Sequence, residues 1–250
     1  MASLLKQHAL ITGGSRGIGF KIAQKLCGQG CKVTLLSRSK SRLIDTTDYL
    51  NESFPLVAGK KHGWVSCDLS DPEHLSERLL SQFEDYKSVN ILINCAGQTQ
   101  QRLLVNTNDA TIDAIYKVNL ISPTILCHFF SRNMLRQHLE NANIVNVSSI
   151  LAQKYLPGTA VYSASKLALN GLTLSLSQEM NRKGNQIVRV NSILPGLIRE
   201  TDMGESVNME TMQQYGLDQM TTKAETVANE VLKVVMDSRI TGELIQVLAV

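Results

Sequence analysis

A chain of 250 residues, 43% of them hydrophobic, is long enough to close one large core, burying roughly 70–75% of the surface its unfolded form exposes. A formal net charge of +3, with lysines and arginines scattered rather than striped, leaves no nucleic-acid footprint, and no apolar run reaches the ~18–20 residues of a membrane span. The five cysteines include no CxxC pair, which argues for a reducing compartment and against a disulfide framework or zinc site.

In chain order, MASLLKQ is too short for a secretory signal and lacks the Arg-rich amphipathic character of a transit peptide. HALIT (8–12) reads as a buried strand, followed by a helix over about 16–29, and CKVTLLS (31–37) as a second strand. The helix after it stops at Phe54-Pro55, and GWVSCDLS carries a third strand into a turn. Asp71-Pro72-Glu73 has the capping residue and first-turn proline of a helix start. VNILINCAG (89–97) is continuously apolar, as expected of a strand buried on both faces. A helical stretch spans about 108–138, with Ser122-Pro123 as its point of interruption, before the fifth strand NIVNVSS (143–149). A helix over 160–182, a sixth strand QIVRVNSI (186–193), a helix over 223–237 and a seventh strand LIQVLAV complete the order. Strand-helix alternation with short links predicts an α/β fold with a parallel sheet covered on both faces, in one domain spanning 1–250. Residues 195–221 are the one long irregular stretch, which suggests a lid or substrate-binding segment.

TGGSRGIG (12–19) follows the first strand and opens the first helix, the context that a dinucleotide-binding turn requires. Gly13 permits a tight turn, while Gly17 and Gly19 let backbone approach a pyrophosphate at the positive end of the helix. The spacing is TGxxxGxG rather than GxGxxG, and it resembles the short-chain dehydrogenase/reductase family. The resemblance extends along nearly the whole chain. It implies a Rossmann-type doubly wound sheet in strand order 3-2-1-4-5-6-7. Asp68 of CDLS matches the family's acid near the adenine, Asn94-Cys95-Ala96-Gly97 its NxAG, and Asn119 of KVNL its helical asparagine. Ser149 matches its serine, Tyr162 and Lys166 of VYSASK its YxxxK, and Pro195-Gly196 its PG after the sixth strand. Cofactor contacts from Ser15, Ile18, Leu69 and Ile198 are implied in the same way.

Tyr162 and Lys166, four residues apart on a helix, share one face. A solvent-facing lysine and a half-buried tyrosine would also suit that spacing. The chemical reading makes Tyr162 the proton donor to a carbonyl, with the nearby ammonium lowering its pKa from the free value of about 10. Ser149 would hold the substrate oxygen, with Ser148 as the competing serine. Asn119 would anchor a water that links Lys166 to solvent, or serve as a structural helix residue. Lys166 would also hold the nicotinamide ribose.

LLSRSK, at the end of the second strand, has no acid to grip the adenosine ribose. Ser37 and Arg38 stand there instead, and Arg38 can hold a 2′-phosphate bidentately, with Arg16 approaching from the other side. The cofactor expected is therefore NADPH/NADP+, with a solvated loop arginine as the alternative reading of Arg38. NCAGQTQQRLLV, PGTAVYSASK, PGLIRETDM and ITGELIQV resemble 3-oxoacyl-acyl-carrier-protein reductases, which implies an acyl-thioester substrate, possibly on an acidic carrier protein. Arg136 and Arg182-Lys183 are candidate docking cations. The ending VLAV, where the family usually has Asp-Gly-Gly, leaves the oligomer open, a homotetramer or dimer built on the two long helices being implied. No metal site is expected. The location expected is intracellular and soluble, in cytoplasm or mitochondrial matrix. Reduction of another ketone and a non-catalytic NADPH-binding subunit are the alternatives.

Overall fold

The structure, a computed structural model, describes residues 4–100, 102–182, 185–186, 188–205 and 207–249. Seven parallel strands form one sheet: β1 (His8–Thr12), β2 (Lys32–Ser37), β3 (Gly63–Ser66), β4 (Ile91–Asn94), β5 (Asn143–Val147), β6 (Arg189–Pro195) and β7 (Leu244–Val247). Their spatial order is β3-β2-β1-β4-β5-β6-β7, so the chain reverses its direction of travel between β1 and β4. Such a switch point opens a crevice outside the carboxyl ends of the strands. Registers such as Thr12 against Asn94 and Asn94 against Asn146 bring the ends of β1, β4 and β5 level at that crevice.

Helices cover both faces because each carries an apolar stripe. On one face lie α1 (Gly17–Cys27) and α9 (Ala224–Met236), whose Ile22, Leu26, Val227 and Val231 are fully buried, with Leu43 and Leu50 of α2 (Lys40–Ser53). On the other lie α3 (Leu75–Gln82), α5 (Ser122–Arg136) and α6 (Ala160–Met180), contributing Leu75, Leu79, Leu126, Phe130 and Leu176. No helix among the described residues is long and apolar enough to cross a membrane.

Four elements differ from the sequence expectation. The helix expected at Asp71-Pro72 begins only at Leu75, because a turn bonded from Leu75 N to the Pro72 carbonyl and a left-handed His74 (φ 57°) intervene. Asp71 instead binds the Arg78 guanidinium at 3.0 Å. The helix from Tyr162 ends at Met180. A short antiparallel pairing of Asn181–Arg182 with Asn185–Gln186 follows, and the sixth strand starts at Arg189 rather than 186. The long stretch expected over 108–138 is α4 (Asp109–Tyr116), a π-helical turn (Lys117–Ile121) and α5, so the irregularity falls before Ser122-Pro123. Pro123 has no N–H for the Asn119 carbonyl four residues back, which accounts for the departure from α geometry.

Residues 195–221 leave the sheet and return, pinned at their base by a bridge between Leu197 and Thr221. They contain α7 (Asp202–Glu205) and α8 (Met209–Gln214), and pack Met212 and Leu217 against Leu156 in a small core of their own.

His8 shows how burial selects protonation in this fold. It is 3% exposed and hydrogen-bonded through both ring nitrogens, to Ser88 Oγ at 2.7 Å and Thr34 Oγ1 at 2.8 Å. Desolvation lowers its pKa to about 3, so the folded protein keeps it neutral where the unfolded chain, at about 6.5, is already protonated. Its contribution is therefore complete above pH 6.5 and is lost as pH falls towards 3, with a slope of up to about 1.4 kcal/mol per pH unit. Urea unfolding between pH 7 and 4 should show this loss, and His8→Gln should flatten it.

Candidate active site and cofactor cleft

The turn after β1 is built so that no side chain obstructs it. Gly13 takes φ +66°, and a Cβ there would lie 3.0 Å from the Ala96 Cα. Gly17, at φ +55°, faces Thr201 of the excursion, whose Cγ2 a Cβ would approach to 3.6 Å. Gly19 lines the same crevice and also packs tightly on the turn. A Cβ there would come within 2.4 Å of the Gly13 carbonyl oxygen, so this glycine lets α1 pack on the turn itself.

The crevice holds two adjoining cavities. The larger, of about 600 Å³, runs along the glycine turn. It takes in Ser15, Arg16 and Ile18 from that turn, Ser37 and Arg38 after β2, Asp68 and Leu69 after β3, and Ala96 and Gly97 after β4. Tyr162 and Lys166 line its inner end. Asn94 does not reach it. That side chain is 2% exposed inside the sheet, where its amide donates to Asn146 Oδ1 at 2.8 Å. Pro195, Gly196 and Ile198 instead line the second cavity, of about 360 Å³, together with Ser149, Leu156, Leu197 and Met212. Among the described residues, Ile18, Ser148, Tyr162, Thr201 and Met203 border both.

The larger cavity offers polar and cationic groups that suit a dinucleotide. The Ser37 hydroxyl is buried there without a hydrogen-bond partner. Arg38 stands beside it, and Arg42, in the first turn of α2, adds a second guanidinium that sequence reasoning overlooked. A second arginine four residues after Arg38 was the available signal. Arg16 differs from expectation, since its guanidinium is paired with Asp202 of α7 across the mouth, an exposed contact of small energetic weight. The Asp68 carboxylate is fixed by Ser70 N at 2.9 Å and Ser70 Oγ at 2.8 Å, and the backbone bond above all holds its pKa low.

At the junction of the cavities, Tyr162 and Lys166 do share a face. The Lys166 ammonium lies 5.9 Å from the Tyr162 ring centroid and donates to the Val147 carbonyl at 2.8 Å. The expected electrostatic tuning, however, is reversed. Burial raises the Tyr162 pKa, opposed by a hydrogen bond with Ser149, and burial lowers Lys166 to about 8. In so dry a site desolvation is the largest influence on each of the two groups. Cys95, beside them, is kept a neutral thiol by burial, its pKa raised to about 12.

The two serines are engaged differently. Ser148 Oγ donates to the Lys166 carbonyl at 3.2 Å, a helix-anchoring bond, whereas Ser149 Oγ accepts from Leu151 N at 3.1 Å and acts on the Tyr162 phenol by lowering its pKa. Asn119, fully buried, uses its whole amide on protein groups. Its Oδ1 accepts from Gln98 N at 2.8 Å, and its Nδ2 donates to the Gln98 carbonyl at 2.8 Å and Ser165 Oγ at 3.0 Å. The group of Asn119 lacking its α-helical donor is thus the backbone carbonyl, opposite Pro123. Gly97 marks the gap between these groups, since a Cβ there would lie 3.6 Å from Asn119 Oδ1 and 3.7 Å from Lys166 Nζ.

Arg136 ends α5, and α5 carries the chain back to the start of β5, so this cation lies at the opposite edge of the sheet, one helix length (about 22 Å) from the crevice. It does not border the mouth. Arg182 stands at the same edge, after α6, while its side chain and Lys183 lie outside the described residues. Arg102, exposed and lining the smaller cavity, is the cation at the entrance. No cluster of metal-ligating side chains occurs among the described residues.

A family model described as short chain dehydrogenase matches residues 7–212. Carbonyl reductase family member 4 of Danio rerio is 32% identical over 244 residues, covering 97% of this chain and 97% of its own length. The 3-oxoacyl-acyl-carrier-protein reductase of Vibrio cholerae is 33% identical over 202 residues, 81% of this chain and 77% of that one. Among solved structures, a dehydrogenase/reductase from Sinorhizobium meliloti superposes with TM-score 0.82 at 27% identity over 98% of this chain and 94% of that one. A 4-hydroxyisoleucine dehydrogenase complexed with NADH does so with TM-score 0.80 at 28% identity, covering 96% of each chain.

The burial of Lys166 can be read directly. In protein carrying lysine labelled with carbon-13 at Cε, one resonance should titrate with a midpoint near pH 8 and be missing from Lys166→Met. A Lys166 midpoint at the ordinary lysine value of about 10.4 would contradict the burial argument.

Proposed function

The chain belongs to the short chain dehydrogenase family, and from that premise we propose that it is an NADPH-dependent reductase of 3-oxoacyl thioesters, forming the 3-hydroxyacyl product. The single observation carrying this reading is the placement of Tyr162 where the two cavities adjoin, with Ser149 on the wall of the smaller one and Lys166 on the wall of the larger. When bound in the larger cavity, the nicotinamide supplies the hydride. Arg38 and Arg42 would hold the 2′-phosphate, Ser37 the ribose edge it departs from, and the glycine turn the pyrophosphate. A carbonyl in the smaller cavity would accept hydrogen bonds from Ser149 and Tyr162 on its oxygen. Tyr162, kept un-ionised by burial, holds the proton that the developing alkoxide takes. Lys166, largely protonated at neutral pH, supplies the positive field that stabilises the phenolate left behind, and the Asn119 carbonyl is the group to hold a water resupplying the proton.

The thioester reading is supported by the 3-oxoacyl-acyl-carrier-protein reductase of Vibrio cholerae and by a smaller cavity walled by Leu151, Leu156, Leu197, Val207 and Met212, which fits an acyl chain. Arg102 at its entrance suits an acidic carrier. Residues 195–221 act as the lid of this cavity. A dimer or tetramer through the long helices is supported by the outer face of α6, where Leu167 and Leu174 are 50% and 41% exposed beside Ala164, Ala168 and Gly171. Reduction of another ketone is the second reading, favoured by the zebrafish carbonyl reductase relative, which matches over nearly the full chain.

NADPH oxidation followed by absorbance should show turnover with 3-oxoacyl thioesters in preference to a panel of steroid, quinone and small ketones. Higher kcat/KM on that panel would favour the second reading. Tyr162→Phe should lower kcat by about 10²–10⁴-fold. Arg38→Ala should raise the KM for NADPH about 10-fold or more and leave that for NADH nearly unchanged, as loss of a charge-assisted phosphate contact requires.

A further inference from the structure

Tyr162 sits in the first turn of α6, yet that turn is not capped by its own N-cap residue. Thr159 makes no capping bond there. Its hydroxyl is engaged by the Leu156 carbonyl at 2.7 Å and Ser163 Oγ at 3.1 Å. The open N–H groups of the helix start are met instead from the loop after β4. Gln100, 4% exposed, accepts through Oε1 from Val161 N at 2.6 Å and Tyr162 N at 3.3 Å. Its Nε2 donates to the Arg102 carbonyl at 3.1 Å, which fixes the carboxamide's orientation.

The Tyr162 carbonyl is held from the other side. Ser165 Oγ donates to it at 2.6 Å and accepts from Asn119 Nδ2 at 3.0 Å. Asn119 in turn holds both backbone groups of Gln98, two residues before Gln100. The contacts close a ring: Asn119, Gln98, Gln100, the Tyr162 peptide, Ser165, and Asn119 again. Every side chain in it is buried, so a missing bond would leave a polar group without water to replace it.

We infer that Gln100 is a positioning residue for the reaction, setting the height of the Tyr162 phenol over the smaller cavity by capping the helix that carries it. This rests on the reading of Tyr162 as proton donor. Gln100 touches no reacting atom in that scheme. It acts through the two N–H groups it holds, and it also ties the phenol to the cavity wall formed by Thr99, Arg102 and Leu103. A misplacement of about 1 Å at a reacting group can cost about 100-fold in rate.

The test compares Gln100→Ala, Gln100→Glu and Tyr162→Phe in steady-state reduction across pH, with thermal unfolding alongside. Gln100→Ala should lower kcat about 10- to 100-fold and change KM for NADPH and for the ketone less than about 3-fold. Gln100→Glu keeps an acceptor oxygen on both N–H groups and should recover part of that kcat. Its added carboxylate disfavours the phenolate, so the alkaline limb of its kcat profile should move to higher pH. Should Gln100→Ala fail to fold, the Gln100→Glu profile carries the test, and an unmoved alkaline limb in it overturns the inference. Wild-type kcat in Gln100→Ala with an inactive Tyr162→Phe overturns the role of Gln100 alone. Full activity in Tyr162→Phe overturns the reading of the site on which that role rests.

Discussion

The side-chain amide of Asn119 binds three separately encoded pieces of chain into one object. The loop after β4, the π-helical turn and the start of α6 are all joined through it. An asparagine suits the task because it is donor and acceptor at once, and can satisfy a loop peptide's N–H and carbonyl together while keeping a donor for a third partner. The parallel sheet makes this possible, because it brings the ends of β4 and β5 side by side although they are some 50 residues apart in sequence. Without that bridge the loop would be an ordinary surface connection and the tyrosine an ordinary helical residue.

The second organising term is dryness. Tyr162 and Lys166 are 7% and 3% exposed, and such burial penalises charge on either one. Burial, not the neighbouring cation, therefore sets the direction of the Tyr162 shift. The neutral phenol is favoured, and the lysine is brought towards the neutral range while anchored on the Val147 carbonyl. A proton donor must first hold its proton, and burial secures that. The ion behind it remains available to favour the charge that appears as the proton leaves.

The parallel sheet covered on both faces was legible from strand-helix alternation, which is a local pattern, and the strand order from the family resemblance that the glycine spacing and later motifs carry. Tyr162, Lys166 and Ser149 were legible through spacing. The misses share one cause, since each depends on what lies across a gap. Asn94 looks like a cleft residue in its motif, but register with Asn146 turns it into the sheet. Gln100 is an anonymous loop glutamine until the loop is folded onto α6. Arg16 looks free until the excursion brings Asp202 to it, and Arg136 looks available until the direction of α5 sends it to the far edge. The late start of the third helix and the early end of the sixth were lost to turn geometry, which propensity reads poorly at element ends.

The π-helical turn at Lys117–Ile121 has a meaning for sequence length. It accommodates one more residue than an α-helix would over the same rise, so Asn119 owes its bearing to a local surplus. A chain shortened by a single residue between Tyr116 and Ser122 could keep every strand, both helical layers and its apolar cores. It would also swing position 119 about 100° around the helix axis, away from Gln98 and Ser165. Length in that five-residue window therefore decides whether position 119 faces Gln98 and Ser165 at all.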